Sequence, residues 1–291
     1  MADNATKGIV EIRCETWLDF LTEVEKRRST RGAFYRGHRE ACWRTESTLL
    51  RETRRHLLHS HPDWNDQQLG NVLQRKETSN GGKVMQSYAS HFEEREGTEL
   101  TDRRLFMMGR HQGLLTPFVD WTRSPFIAAF FGAVEVVELL EQNSGRDFAI
   151  LQVSSWLFPF ELDNRTCDNE QLKRHALQVN AAYFGNQRGI AQRGVATYLH
   201  PQTDIESFVL EVAAESDTYD QALLKFIIPH SRSEDALNNL HRMNINYVTL
   251  FPDPYGLAKQ ANLNLYMHLE GMGNWMKPPG FETLMPANDN G

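Results

Sequence analysis

The chain has 291 residues, of which 40% are hydrophobic and 24% are charged, and this composition excludes a disordered polypeptide. The length is sufficient for one large domain or two small ones with a sizeable core. The net charge of -7 argues against non-specific DNA binding by the whole surface. No apolar run approaches the roughly 20 residues of a membrane span, the N-terminus carries no export signal, and the three cysteines are scattered. We therefore expect a cytoplasmic protein with free thiols and no membrane contact.

The charge is distributed unevenly along the chain. Residues 26–55 contain ten Lys or Arg and only three acidic residues, so that this segment carries +7 in an acidic protein. Two interpretations are open at this point. The segment binds a local anionic ligand, such as a nucleotide or a stretch of nucleic acid, or it is simply a solvated basic helix face.

The first half of the chain is predicted to be mostly helical around one short strand. Residues 16–28 have the pattern of an opening helix, and Phe34–Gly37 that of a short strand ending in a glycine turn. Residues 47–110 are polar and mostly helical, with a break near 79–82. We expect one domain over residues 1–270 with a helical insertion at about 52–105.

The second half is predicted to add a buried helix and several strands. Ser124 followed by Pro125 is a strong helix start, with Ser as N-cap and Pro at the first helical position. The apolar residues that follow lie nearly all round the helix, which predicts burial as far as about residue 140. Strand patterns occur at 148–153, 207–212 and 224–229, an amphipathic helix fits 234–243, and residues 271–291, with seven Pro or Gly, are expected to form a tail.

The order of these elements predicts an α+β fold with a central mixed or antiparallel sheet and a helical layer. Neither GxGxxG nor GxxxxGK[ST] is present, so the Rossmann and P-loop classes have no support.

Arg36 is the first candidate for chemistry. Its planar guanidinium can hold a phosphate through two hydrogen bonds, and Gly37 would allow close approach of a ligand to the backbone. Tyr35 and His38 flank the pair. The alternative is an arginine that pairs with a buried carboxylate.

A second candidate region is residues 116–125. The free amides at the start of the predicted helix favour an anion, and Thr122 and Ser124 add hydroxyl groups there. Ser124 could equally act only as an N-cap, and core packing is the simpler role for Trp121. Asp120, a carboxylate in an apolar stretch, must be either paired or functional.

The histidines divide into two groups. His38 and His111 are candidates for ligand contacts because each lies inside a motif. His56, His59 and His61 have a suggestive spacing without a further ligand set, so we expect no metal site.

Three stretches of the chain form a recognisable series of motifs. They are Phe34-Tyr35-Arg36-Gly37-His38 with Trp43, Leu49 and Arg51; His111-Gln112-Gly113-Leu114 with Thr116, Asp120-Trp121-Thr122, Ser124-Pro125, Ala128 and Phe131; and Leu250-Phe251-Pro252-Asp253 through Ala258. Together they resemble the FRG-domain family, in the order that the family has them, and the second stretch is the most specific. A weaker fourth element comprises Asn186, Arg188, Gln192 and Gly194, and the resemblance covers about residues 34–258.

The chain departs from the family pattern at several positions. Arg110 stands where the family has Gln, Tyr255 stands where it has Asp, and Leu115-Thr116-Pro117 replaces Pro-Thr-Arg. An arginine that the family pattern includes is therefore missing.

The resemblance implies a nucleotide ligand and, through the similar motif order of arginine-class ADP-ribosyltransferases, an ADP-ribosyltransferase-like fold. NAD would then be a substrate of a transferase or glycohydrolase that acts as a toxin or as a phage- or bacterial-defence effector. Arg36, Thr122 and Ser124 would hold the pyrophosphate, Tyr35 or Trp121 would cover the nicotinamide, and Gln192 would contact the ribose. The full set of expected contacts also includes Gly37, His38, His111, Asp120 and Arg188, with Glu206 and Glu211 as acidic alternatives to Gln192.

Two other functions stay open. The chain could be a non-catalytic module that binds nucleic acid or a phosphorylated partner through residues 26–55. It could also inhibit a host protein by surface contact alone.

Overall fold

The structure of the protein is a computed structural model. It describes residues 5–27, 32–65, 113–138, 146–158, 176–180, 187–199, 203–215 and 221–275, together with residues 68, 87, 90, 109 and 110.

Strands of this part of the chain form one sheet. In chain order they are β1 (Ala5–Thr6), β2 (Ile9–Arg13), β3 (Ala33–His38), β4 (Phe118–Thr122), β5 (Phe148–Ser154), β6 (Ala176–Asn180), β7 (Gly194–Leu199) and β8 (Leu223–Ile228).

Helices of the same ranges pack on the sheet or lie at its edges. They are α1 (Trp17–Lys26), α2 (Thr48–Ser60), α3 (Pro125–Glu138), α4 (Gln187–Ala191), α5 (Ile205–Glu215), α6 (Ser233–Arg242), α7 (Tyr247–Leu250) and α8 (Pro254–Trp275), with short 3₁₀ turns at Ser155–Leu157 and His230–Arg232.

The sheet has the order β1-β2-β8-β5-β3-β4-β7-β6. The β2–β8 pair is parallel and the other pairs are antiparallel. The predicted α+β class with a central mixed sheet is therefore confirmed. None of the helices in the described ranges is long and apolar enough to cross a membrane.

Each face of the sheet carries its own apolar core. On one face α3 lies with α1, α6, α7 and α8, and its side chains Ile127, Phe130 and Val134 are buried there. On the other face α5 and the turn at Ser155–Leu157 cover the sheet. The prediction that α3 is buried is confirmed, and its end at Glu138 agrees with the expected end near residue 140.

The strand predicted at 207–212 is wrong, because these residues lie within α5. Asp204 begins this helix, since its Oδ1 accepts a hydrogen bond from the Ser207 amide at 2.8 Å. Phe208 and Val209 are buried against the sheet while Leu210 and Glu211 are exposed. A short apolar run fits a strand or a buried helix equally well, and here the capping residue determines the outcome.

The predicted domain boundaries lie mostly outside the described residues. Of the helical insertion expected at about 52–105, the structure describes α2 and the residues that follow it to 65, with a few isolated positions. Helix α8 continues to Trp275, so the expected start of the tail at residue 271 falls inside this helix.

Gly37 is required where α3 crosses β3. A Cβ at this position would lie closer than 3.0 Å to the Ala128 carbonyl oxygen and to the Gly132 amide nitrogen. These atoms belong to the helix backbone and cannot rotate away. Gly37 therefore allows the backbone of α3 to approach β3 closely.

We expect Gly37→Ala to destabilise the fold by about 1–3 kcal/mol, the usual cost of overpacking a core. Gly132→Ala is the matched control, because its Cβ would meet Phe148 at 3.3 Å and alanine is favoured in helices. Urea denaturation of the two variants measures the difference. Equal stability of both variants and the wild type would contradict the close contact.

Candidate functional site

A cavity lies where the centre of the sheet opens. Strands β3 and β4 are joined by a single register pair, Tyr35 with Thr122, and separate beyond it. The cavity at this opening has a volume of about 250 Å³. Residues from three strands, two helices and the turns after α4 and α7 line it: Tyr35, Arg36, Gly37, Asp120, Trp121, Thr122, Ala128, Phe131, Glu135, Arg188, Gly189, Gln192, Gly194 and Phe251.

Arg36 bridges the two separating strands. Its Nη1 donates a hydrogen bond to the Asp120 carbonyl oxygen at 2.7 Å, and its Nε donates to His38 Nε2 at 3.2 Å. Burial lowers the pKa of His38 well below its usual range, and the nearby Arg36 charge lowers it further. His38 is therefore a neutral imidazole that accepts this hydrogen bond and orients the guanidinium.

The Arg36 cation has no carboxylate partner among the described residues. The Asp120 carboxylate, whose own backbone carbonyl accepts from Arg36, forms an ion pair with Arg110 instead. Burial lowers the pKa of Arg36, with the Asp120 charge acting in the opposite direction, but an arginine remains charged in proteins. Among the described residues, Arg36 thus does not pair with a buried carboxylate, which was the alternative interpretation of this residue.

Thr122 ties the start of α3 to the segment that carries Gln192. Its hydroxyl donates to the Gln192 carbonyl oxygen at 2.7 Å and accepts from the Ser124 amide at 3.1 Å. The Gln192 side-chain amide in turn donates to the Leu250 carbonyl oxygen at 3.2 Å. The Gln192 side chain is therefore held at the cavity wall between β4 and α7.

Arg188 is held at another part of the wall. Its Nε donates to Asp253 Oδ2 at 2.6 Å, and its guanidinium lies 5.4 Å from the Phe251 ring centroid and 5.2 Å from that of Tyr255. Asp253 also accepts the Tyr255 and Gly256 amides and so begins α8. The hydrogen bond from Arg188 lowers the pKa of Asp253.

Glu135 is a cavity residue that the sequence analysis missed. It lies on α3 one and two turns after Phe131 and Ala128, on the helix face that lines the cavity. Its side chain is solvent-accessible, yet the surrounding protein raises its pKa by desolvation. A usable signal was present, because Glu135 interrupts a run that is otherwise without polar side chains from Pro125 to Val137.

The structure brings most of the predicted site residues together. Tyr35, Arg36, Gly37, Asp120, Trp121, Thr122, Arg188 and Gln192 all line the cavity. Trp121 does so from a core position, since its ring is buried and its Nε1 donates to Thr197 Oγ1 at 2.8 Å.

Other predicted residues lie elsewhere. His38 contacts Arg36 without lining the cavity, and Ser124 caps α3 by accepting the Ile127 amide at 3.4 Å. His111 lies outside the described residues. Glu206 accepts the Thr45 amide and hydroxyl, both at 2.9 Å, and Glu211 is exposed on α5, so neither acidic alternative lines the cavity.

The cavity can bind a ligand that combines negative charge with an apolar ring. Arg36 offers a cation, Gln192 an amide, Glu135 a carboxyl group, and Tyr35, Phe131 and Phe251 an aromatic wall. Across the described ranges no group of three or more His, Cys, Asp or Glu side chains has an arrangement suited to a metal ion.

Comparison with known families identifies part of the chain. The model of the FRG domain matches residues 31–138, a range that includes β3, β4 and α3. Residues 31–138 therefore match an FRG domain, and the resemblance of the motifs within this range to that family is confirmed. No curated protein and no solved structure gives a significant match.

We expect Ser124→Ala to cost roughly 1 kcal/mol, the usual cost of losing an N-cap. Thr122→Val removes two buried hydrogen bonds, so we expect it to cost more, about 1–3 kcal/mol for the groups left without a partner. Thermal melting of both variants measures these differences. A Ser124→Ala variant that melts like the wild type but loses ligand binding would show that Ser124 contacts the ligand.

Proposed function

We propose that the protein binds a nucleotide in the cavity between β3 and β4, and that NAD is its substrate. The observation that carries this proposal is the half-buried Arg36 cation, which lines the cavity and forms no ion pair with a carboxylate among the described residues. Charges that are partly removed from water are normally paired, and a bound phosphate would complete this one.

The hydrogen bonds of Arg36 support an anionic ligand. Nη1 and Nε are occupied by Asp120 and His38, whereas Nη2 makes no hydrogen bond with any residue in the described ranges. The two occupied nitrogens fix the plane of the guanidinium. The remaining N–H groups are therefore pre-oriented toward a ligand, which reduces the entropy lost on binding.

The size and the wall of the cavity restrict the ligand further. Phe131 and Phe251 offer an apolar surface to a planar ring, and Arg188 is fixed beside Phe251. Pockets that enclose a drug-sized ligand usually measure about 300–1,000 Å³, so a cavity of about 250 Å³ is smaller than these. A dinucleotide would place its nicotinamide and ribose inside and extend its other half outward.

The proposed activity is ADP-ribosyl transfer or NAD hydrolysis. Its support is the FRG domain, the similarity of the motif order to that of ADP-ribosyltransferases, and the cation and carboxyl group that line the same cavity. A role as a toxin or as a defence effector belongs to the same proposal and depends on the family resemblance alone.

The basic segment 26–55 is a weaker candidate for the site of action. Six of its ten basic side chains form ion pairs with acidic residues, which reduces the charge offered to a nucleic acid. These residues are Lys26, Arg27, Arg39, Arg44, Arg54 and Arg55.

We expect Arg36→Ala and Arg36→Lys both to lose nucleotide binding, because lysine keeps the charge but not the planar geometry. Both variants should remain folded, although the loss of the contact to Asp120 lowers their melting temperature modestly. Calorimetric titration with NAD and ADP-ribose, together with thermal melting, tests this expectation.

Arg55→Ala is the matched control. Arg55 lies on α2 with a side chain that is 70% exposed and paired only with Glu52, so its removal should leave binding and stability unchanged. Equal losses in the Arg36 and Arg55 variants, with a steep dependence on salt, would favour the nucleic-acid module. Unchanged nucleotide binding in both Arg36 variants would refute the proposal.

A further inference from the structure

One carboxyl group on the cavity wall has no structural task. Glu135 forms neither a hydrogen bond nor an ion pair with any residue in the part of the chain that the structure describes. Glu138, the next acidic residue of α3, accepts hydrogen bonds from the Tyr247 hydroxyl and from Lys259 Nζ, each at 2.9 Å. Two glutamates of one helix thus differ, because one holds α7 and α8 in place and the other faces the cavity.

The position of Glu135 is fixed by a close backbone contact. Gly37 and Gly132 bring α3 against β3, since a Cβ added at Gly37 would lie 2.9 Å from the Gly132 Cα. Glu135 lies three residues after Gly132 on this helix, and Arg36 directly precedes Gly37 on this strand. The same backbone contact therefore sets the separation between the cavity's cation and its carboxyl group.

We propose that Glu135, and not Gln192, is the catalytic carboxylate that contacts the nicotinamide ribose and assists cleavage of its glycosidic bond. This inference rests on the proposed function and adds the residue that the chemistry requires. Gln192 cannot accept a proton, and its amide nitrogen is already bonded to Leu250. Its role is then to position the ribose from the side of α7.

The step is a displacement at C1′ of the ribose. The bond between C1′ and the pyridinium nitrogen breaks, and its electron pair stays on the nitrogen of the departing neutral nicotinamide. A water oxygen bonds to C1′ and releases one proton, which passes to the Glu135 carboxylate and then to solvent. The products are nicotinamide, ADP-ribose and one proton. The negative charge of the carboxylate also stabilises the oxocarbenium character of the transition state.

The charged groups around Glu135 favour this role. Three arginines act on it electrostatically: Arg36 in β3, Arg39 just after β3, and Arg51 in α2. Glu138, on α3 itself, also acts on it. Desolvation raises the pKa of Glu135, with the charge of Glu138 acting in the same direction and the three arginines opposing it. A carboxylate with a raised pKa is a stronger base, and it is ionised only above that pKa.

The test compares Glu135→Gln with Glu211→Gln, a matched control on α5 outside the cavity. For each full-length variant we would measure NAD binding by calorimetry, nicotinamide release by chromatography, and melting temperature. We expect Glu135→Gln to bind NAD within a few-fold of the wild type and to release nicotinamide at least about 100-fold more slowly. Glu211→Gln should match the wild type in all three measurements.

The pH dependence gives a second readout. In the wild type, nicotinamide release should fall as the pH drops through the pKa of Glu135, which is raised above its ordinary value. In Glu135→Asp this fall should occur at a different pH. Melting should change little in Glu135→Gln, because Glu135 forms no hydrogen bond or ion pair with the described residues.

Three results separate the possible failures. Full nicotinamide release by a folded Glu135→Gln variant would overturn the assignment and leave the proposed function intact. NAD binding by the wild type without nicotinamide release would overturn the catalytic assignment while leaving nucleotide binding. Absence of NAD binding to the wild type would overturn both.

Discussion

The separation of β3 from β4 is the constraint on which the site depends. A continuous ladder at the centre of the sheet would leave no space, but these strands share one register pair and then diverge. Arg36 replaces the missing backbone hydrogen bonds by donating across the gap to the Asp120 carbonyl oxygen. Because the bridge is a cation and not a backbone amide, the fold places on the cavity wall a positive charge that forms no ion pair with the described residues.

The surrounding elements stabilise this opening from both sides. Gly37 and Gly132 allow α3 to close against β3, while Thr122 links the end of β4 to the Gln192 segment. Asp253 begins α8 and pairs with Arg188, so the closing motif of the chain also faces the same cavity. Motifs that are distant in sequence are thus joined by contacts that involve the backbone. The polar groups that these contacts leave available line the same cavity.

Much of this arrangement could be predicted from the sequence, and the limits have physical causes. The Ser124-Pro125 signal placed the start of α3 because capping is local chemistry. The family resemblance placed Arg36 and Asp120 around one ligand, and both line the cavity. The strand expected at 207–212 was wrong because an apolar run alone does not distinguish a strand from a buried helix. Glu135 was missed although it is a carboxylate within an apolar helix, because the sequence does not show that this position lines a cavity formed with β3 and β4.

The most direct measurement of the central claim is a crystal structure of the protein with NAD or ADP-ribose bound. The account predicts a phosphate or ribose oxygen within hydrogen-bond distance of Arg36 Nη2, with the ligand's inner half between Phe131 and Phe251 and its ribose beside Glu135. Ligand density on the surface of α2, or a cavity that stays empty at saturating ligand, would contradict it.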